Sequence, residues 1–197
     1  MTYYRDLSKY TYSDSTIPDL NIGWLSRFRT FAEGDVDAEV MAILAFQARM
    51  PRNQMRGRHP CYFCSILQAK GAVIPVEIFG VGHRLGSAEI HAFSRSGDVF
   101  SAPDLIYHYI GSHGYRPPSE FMEALMDGNE GKINDSVIHR LRELVENAPR
   151  MEDRVDAAID LIQIAPMSSV EWLRKLIARS ICHPYLKRQV EAALQLL

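Results

Sequence analysis

The first regular pattern of apolar positions lies between residues 35 and 49. Five apolar residues recur there at the three- and four-residue spacing of one helix face: Val36, Val40, Ile43, Leu44 and Ala48. Asp35 and Asp37 suit a first helical turn, where the helix dipole favours negative charge, and Pro51 ends the pattern. The sequence therefore predicts a helix over residues 35–49.

Short apolar runs separated by turn residues follow. Residues 73–79 and 88–93 have the composition of strands, residues 94–98 carry a turn signal, and Val99 and Phe100 resume a strand. These runs predict a small antiparallel sheet. The glycine-bearing stretch 80–86 predicts a flexible turn between two strands, because its glycine spacing differs from that of a dinucleotide-binding loop.

Prolines mark the next two predicted helices. Pro103 suits an early helical position, with Ser101 as a plausible N-cap, and this helix stops near residues 111–114. Pro117 precedes a second helix, which runs to Met126. Both helices would flank the sheet.

A polar, glycine-bearing linker over residues 127–135 marks a predicted boundary. In the helical tail beyond it, residues 155–162 resemble residues 190–197 at an offset of 35 residues. This offset is close to the period of helical-hairpin repeats. The alternative is that the similarity is only the apolar pattern that any two amphipathic helices share. The sequence thus predicts an α+β fold: a small antiparallel sheet with flanking helices over residues 1–128, followed by an all-helical tail of two hairpins over residues 135–197, packed on it.

Composition and charge exclude several classes of protein. The 197 residues are 47% hydrophobic and carry a formal net charge of −2, which gives no general reason to bind nucleic acid. The basic stretch with arginines at positions 49, 52, 56 and 58 could bind an anion, but a solvated loop is favoured. Since neither a membrane-spanning apolar run nor a secretory leader is evident, we expect a cytoplasmic protein that does not enter a membrane.

The candidate chemistry centres on Cys61 and Cys64. Two thiolates at this C-x-x-C spacing can hold one tetrahedral zinc ion, but a structural site needs four ligands and a second cysteine pair is missing. The favoured completion is His108 and His113, whose spacing lies in the range that zinc sites use. His59, two residues before Cys61, is the competing ligand. The hypothesis is a structural zinc site formed by Cys61, Cys64, His108 and His113.

Three other interpretations compete with zinc. The cysteines could be ordinary packing residues, since buried free cysteine behaves as a small hydrophobe. A thioredoxin-like redox role is disfavoured, since no strand is evident before Cys61. A cysteine nucleophile could pair with His108 or His113 as its base, oriented by Asp104 or Glu89.

Strand alternation would leave His91 free to face solvent.

Several blocks of the sequence resemble an uncharacterised bacterial domain family of unknown function. The blocks are YYRDLSKYTY at 3–12, RGRHPCYFC at 56–64, LGSAEI at 85–90, APDLIYHYI at 102–110 and HGYRPPSEF at 113–121. The resemblance covers roughly residues 2–125 and leaves out the tail. It implies a bacterial cytoplasmic protein and carries over no known activity or catalytic residue.

These observations favour a protein-binding module over an enzyme, because helical-hairpin repeats bind proteins more often than they carry out chemistry. The most concrete version is a bacterial immunity or inhibitor protein that neutralises a partner toxin or enzyme by occlusion. The alternative is a hydrolytic enzyme, either zinc-dependent or built on a Cys–His pair. A concave pocket with an open metal position would indicate the enzyme, whereas a broad surface patch would indicate the binder.

Overall fold

The computed structural model describes residues 2–64, 75–78, 80–164 and 167–197. Within these residues the chain forms a mixed α+β fold with its helices concentrated in the C-terminal part, as the sequence predicts. The strands are β1 (Leu20–Asn21), β2 (Pro75–Ile78), β3 (Val81–Arg84), β4 (Glu89–Phe93) and β5 (Val99–Pro103). The helices are α1 (Ala38–Ala48), α2 (Ile106–His113), α3 (Ser119–Asn129), α4 (Asp135–Asn147), α5 (Met151–Ile164), α6 (Met167–Ile177) and α7 (Pro184–Leu194).

The central sheet has three strands in the order β1-β5-β4. Strands β4 and β5 pair antiparallel, from Glu89 opposite Pro103 to Phe93 opposite Val99, as the apolar runs predict. Strand β1 adds to β5 in parallel, so the sheet is mixed and not wholly antiparallel. The two residues of β1 are too few to show strand alternation in the sequence.

Strands β2 and β3 form a separate antiparallel ribbon that turns at Gly80. Residues 81–84 are therefore a strand, and their prediction as part of a flexible turn was wrong. The turn itself needs glycine, because Gly80 has a φ of +75°. The remaining residues of the predicted strand over 73–79, residues 73–74 and 79, lie outside the described residues.

The predicted helix start at Pro103 was also wrong, because β5 continues to Pro103 and α2 begins at Ile106. The backbone N–H of Asp104 donates to the carbonyl oxygen of Ala88 at 2.9 Å, which carries sheet-like pairing past the proline. Pro103 is tolerated because it ends the strand, where a missing N–H costs little.

The tail consists of four consecutive helices, α4 to α7, and its division into two repeated hairpins stays a prediction. Helix α5 lies at the centre and contacts α3, α4, α6 and α7. Its buried residues share one apolar core with four residues from the N-terminal part: Ile17, Met50, Phe93 and Val99. The tail therefore packs directly on the sheet and on the segment after α1.

None of the helices in the described residues is both long enough and apolar enough to cross a membrane.

Candidate metal centre

Four side chains from two segments that are distant in sequence converge in the fold: Cys61, Cys64, His108 and His113. Their candidate ligand atoms all lie within 4.8 Å of one another. The Sγ atom of Cys61 lies 3.3 Å from Nε2 of His113, and the Sγ atom of Cys64 lies 3.3 Å from Nε2 of His108. The two histidine Nε2 atoms are 3.1 Å apart. The structure thus brings together the four residues that the sequence grouped, and their binding of a metal stays a prediction.

These distances fit a tetrahedral zinc ion. Zinc–sulfur bonds of about 2.3 Å and zinc–nitrogen bonds of about 2.0 Å place the ligand atoms of a tetrahedron roughly 3.3–3.8 Å apart. The measured Cys–His separations of 3.3–3.5 Å lie in this range, and the His–His separation of 3.1 Å lies just below it. The donor set, two thiols and two imidazoles, is also the one that structural zinc sites use.

Helix α2 carries both histidines, and its C-terminal end lies at the cluster. His113 is its last residue, and Gly114 follows with a φ of +66°, a left-handed conformation that favours glycine. His108 lies within the preceding turns and is buried. Its Nδ1 atom is 3.2 Å from the hydroxyl of Ser112, which fixes the ring so that Nε2 points at the cysteines.

The segment that carries the cysteines is held by the loop before β4. The backbone N–H of His59 donates to the carbonyl oxygen of Gly86 at 2.7 Å. Gly86 has a φ of +101°, and a Cβ there would clash with the carbonyl oxygen of His59. The Gly86 N–H in turn donates to the Asp104 carboxylate at 2.7 Å. Asp104 therefore positions the cysteine segment through Gly86.

Burial sets the protonation of the four side chains. It lowers the pKa of His108 to about 4, assisted by the neighbouring His113, and it lowers the pKa of His113. Both imidazoles are thus neutral at pH 7, which is the form that binds metal ions. Burial raises the pKa of the Cys61 thiol to about 11. A bound cation would favour the thiolate and so oppose this effect.

The other candidates from the sequence lie elsewhere. His59 touches this region through its backbone and falls outside the four-residue group. The Asp104 carboxylate accepts hydrogen bonds from the backbone N–H groups of Gly86 and Ser87. Glu89 belongs to a different buried group, described next. Within the described residues, neither acid orients His108 or His113, so this part of the nucleophile hypothesis was wrong.

That second buried group joins the sheet to the tail. The Arg52 Nε donates to Asp160 Oδ1 at 2.8 Å, and His91 Nδ1 lies 2.9 Å from Asp160 Oδ2. All three side chains are at most 1% exposed. Arg52 also donates to the backbone of Met50 and to Gln163. We call Arg52, His91 and Asp160, together with Glu89 and Asp156, the buried ionic network.

Glu89 and Asp156 flank this core of the network. The Glu89 carboxylate accepts hydrogen bonds from Tyr10 at 2.9 Å, from Ser101 and from the side-chain amide of Asn53. Asp156 accepts the backbone N–H of Asn53 at 3.0 Å.

Two sequence expectations are thereby overturned. His91 does not face solvent, because the tail covers that face of β4 and leaves all five residues of the strand buried. Arg52 is not part of a solvated loop, because it is fully buried against Asp160. The signal available in the sequence was the pair Asp156 and Asp160, one helical turn apart in the otherwise apolar stretch 155–162 of α5.

The network makes stability depend on pH. Burial alone would lower the pKa of His91, but the charge and hydrogen bond of Asp160 and the nearby Glu89 carboxylate, 3.9 Å from Nε2, outweigh burial and the opposing charge of Arg52, and raise it to about 9. Burial raises the pKa of Asp156 to about 7. The His91 contribution is complete below its unfolded pKa of about 6.5 and is lost as the pH rises through 9. The Asp156 contribution has the same sign and is lost as the pH rises through 7.

We therefore expect the stability that His91 contributes to shrink between pH 6 and pH 9. Urea denaturation of the wild type and of a His91→Gln variant at both pH values measures this contribution as the difference between their free energies of unfolding, because the pH dependence of the metal ligands is common to both proteins and cancels. The difference should be smaller at pH 9 than at pH 6. A difference that stays constant or grows over this interval would contradict the assignment of a charged His91.

The fold and the site define the class of this protein: an α+β domain with a Cys2His2 cluster, extended by a helical tail. Residues 2–126 match a family described as Domain of unknown function (DUF7919), and the chain belongs to this family. The match confirms the resemblance noted in the sequence, and it includes all four clustered residues while leaving out helices α4–α7. No curated protein shows detectable similarity to the chain. No solved structure does so either.

Proposed function

We propose that Cys61, Cys64, His108 and His113 bind one zinc ion whose role is structural. The observation that supports this proposal is the convergence of four potential protein ligands, whose ligand atoms all lie within 4.8 Å of one another. Four protein ligands fill the coordination sphere of zinc and leave no position for water or substrate. Such an ion would join the cysteine segment to the C-terminal end of α2 and stabilise the folded domain.

The protein as a whole is, on this proposal, a binding module. None of the four ligands lines the open groove of about 1110 Å3 that lies along α3, nor the cavities of about 10 and 200 Å3 elsewhere. An enzyme needs its reactive groups in a pocket that admits substrate, whereas a binder needs a broad surface. The groove and the helical-hairpin tail both supply broad surfaces. The concrete form is a bacterial immunity or inhibitor protein that occludes a partner toxin or enzyme.

A Cys–His hydrolytic site is the second candidate. The 3.3 Å separation of Cys61 Sγ and His113 Nε2 favours it, because a nucleophile and its base must lie within hydrogen-bonding reach. The two candidates differ in thiol reactivity. A zinc-bound pair resists alkylation until a chelator is added, whereas a catalytic thiolate reacts at once.

Metal analysis of the purified protein tests the proposal. We expect about one zinc per chain, and we expect replacement by cobalt to give the absorption of a tetrahedral site with two thiolate ligands. The Cys64→Ser variant should lose the metal, and Cys182→Ser, which changes a cysteine outside the cluster, should retain it. A metal-free protein whose Cys61 alkylates rapidly would support the enzyme instead.

A further inference from the structure

The groove along α3 has strongly acidic walls. Its lining contains seven acidic residues and one basic residue, although the whole chain has a net charge of only −2. On α3 and just beyond its end, Glu120, Glu123, Asp127 and Glu130 follow each other at spacings of three and four residues, which places them along one helix face. One wall of the groove is therefore a continuous acidic stripe.

The rest of the groove lining repeats the charge. Asp37 and Glu39 lie at the start of α1, and Asp98 lies in the turn between β4 and β5. Asp37, Glu39 and Glu123 form no salt bridge among the described residues. Two carboxylates of the stripe are paired, Asp127 with Arg95 at 2.6 Å and Glu130 with Lys132, which leaves Glu120 and Glu123 without a salt bridge among the described residues.

The lining also contains a set of apolar side chains. Met122 and Met126, one turn apart on α3, are half-buried, and Leu20 and Phe100 from the sheet line the same groove. Methionine side chains adapt to varied apolar partners, and they recur on surfaces that accept helices. The volume of about 1110 Å3 exceeds the roughly 300–1000 Å3 of small-molecule pockets.

We propose that this groove binds an amphipathic helix of a partner protein, with basic residues along both flanks of its apolar face. The apolar face would lie on Met122 and Met126, and lysine or arginine residues on either side would meet the carboxylates of Glu120 and Glu123 and those near Asp37. Charge complementarity selects this occupant, because an acidic or uncharged helix would bring no positive charge to the carboxylates of the lining that form no salt bridge, such as Glu123 and Asp37. The inference rests on the proposed binding function and names its partner class.

Designed peptides of about 14 residues test the groove with the full-length, zinc-loaded protein. The probe is a helical peptide with leucine on one face and lysine on both flanks, compared with a glutamate–leucine peptide of the same pattern and a lysine–serine peptide of the same charge. We expect the lysine–leucine peptide to bind at least about tenfold more tightly than either comparison, measured by fluorescence anisotropy. Affinity should fall as salt rises from about 0.05 to 0.5 M.

A charge-matched pair of variants locates the binding. Glu120→Gln with Glu123→Gln should weaken the lysine–leucine peptide about tenfold, because both carboxylates leave the groove. Glu143→Gln with Glu191→Gln removes the same charge from exposed positions on α4 and α7 and should leave affinity unchanged. Hydrogen exchange should show protection on α3 and on the turn at 94–98.

The outcomes separate this inference from the proposed function. Equal weakening by both double variants, or equal binding of the lysine–leucine and lysine–serine peptides, would reduce the effect to general charge attraction and overturn the groove. Protection on another face would overturn the groove while leaving the chain a binding module. Absence of peptide binding would overturn the proposal that the groove binds a partner helix. The metal proposal would still be tested separately, by zinc content and thermal stability, which the groove variants should not change.

Discussion

Replacing Asp160 by alanine should destabilise the protein by about 3–5 kcal/mol, because the change leaves two positive groups buried without their shared partner. Arg52 and His91 both contact the Asp160 carboxylate, and all three side chains are removed from solvent. Water cannot solvate the unpaired charges of Arg52 and His91 unless the tail separates from the sheet. The expected loss is a large fraction of the roughly 5–15 kcal/mol that stabilises an ordinary domain.

Urea denaturation of the variant measures the loss. Asp14→Ala is the matched control, since Asp14 is an exposed aspartate and surface substitutions usually change stability by no more than about 0.5 kcal/mol. Asp160→Asn keeps the shape of the side chain and removes its charge, so it separates charge from packing. If Asp160→Ala were as stable as Asp14→Ala, the buried ionic network would contribute nothing to the attachment of the tail.

The features that the sequence predicted correctly have local causes. Helix α1 follows from the apolar spacing after Asp37, and the antiparallel pairing of β4 with β5 follows from two short runs and the turn between them. The grouping of Cys61, Cys64, His108 and His113 followed from two local signals. The residue types are those that zinc prefers, and the spacing within the cysteine pair and within the histidine pair lies in the range that zinc sites use. Cys64 and His108 lie 44 positions apart, and the sequence alone could not show how the intervening chain brings them together. Strands β4 and β5 lie in that interval and lead the chain to α2.

The features that the sequence missed depend on contacts between distant segments. Asp160 lies 108 positions from Arg52 and 69 positions from His91, and no spacing rule joins residues so far apart. Strand alternation placed His91 on a polar face, which is the usual position for a sheet with one solvated side. That rule failed because the tail covers the second face of the sheet. The polar residues of β4 and α5 form part of the contact between the two parts of the chain, beside the apolar core that they share.

The two polar clusters therefore stabilise different parts of one chain. The Cys2His2 cluster brings the cysteine segment to α2 inside the family domain, whereas the buried ionic network joins that domain to the tail, which the family match leaves out. Variants in the two clusters should add independently, because they share no residue and no hydrogen bond among those described. A double variant at Asp160 and Cys64 would lose both attachments.

The largest effect should come from Cys64→Ser. Serine nearly preserves the size of the side chain but cannot supply the thiolate that zinc prefers, so the metal would lose one of its four ligands. Because the free energy of binding a structural metal is free energy of folding, we expect the whole N-terminal domain to lose stability. The expected loss is at least about 3 kcal/mol, given apparent binding energies of about 10–16 kcal/mol for structural zinc.

Thermal unfolding with and without a chelator tests this expectation. A chelator should lower the midpoint of the wild-type protein strongly, and it should have little further effect on Cys64→Ser, which has already lost the metal. Cys182→Ser is the matched control, because Cys182 lies outside the cluster and its variant should respond to the chelator as the wild type does. His59→Ala should also destabilise far less than Cys64→Ser, because the His59 contact with Gly86 uses its backbone N–H, which alanine retains. If the chelator has no effect and Cys64→Ser matches Cys182→Ser, the four side chains are ordinary packing. The zinc proposal and the zinc-dependent enzyme would then both be wrong, and the proposed binding function would rest on the groove and the tail alone.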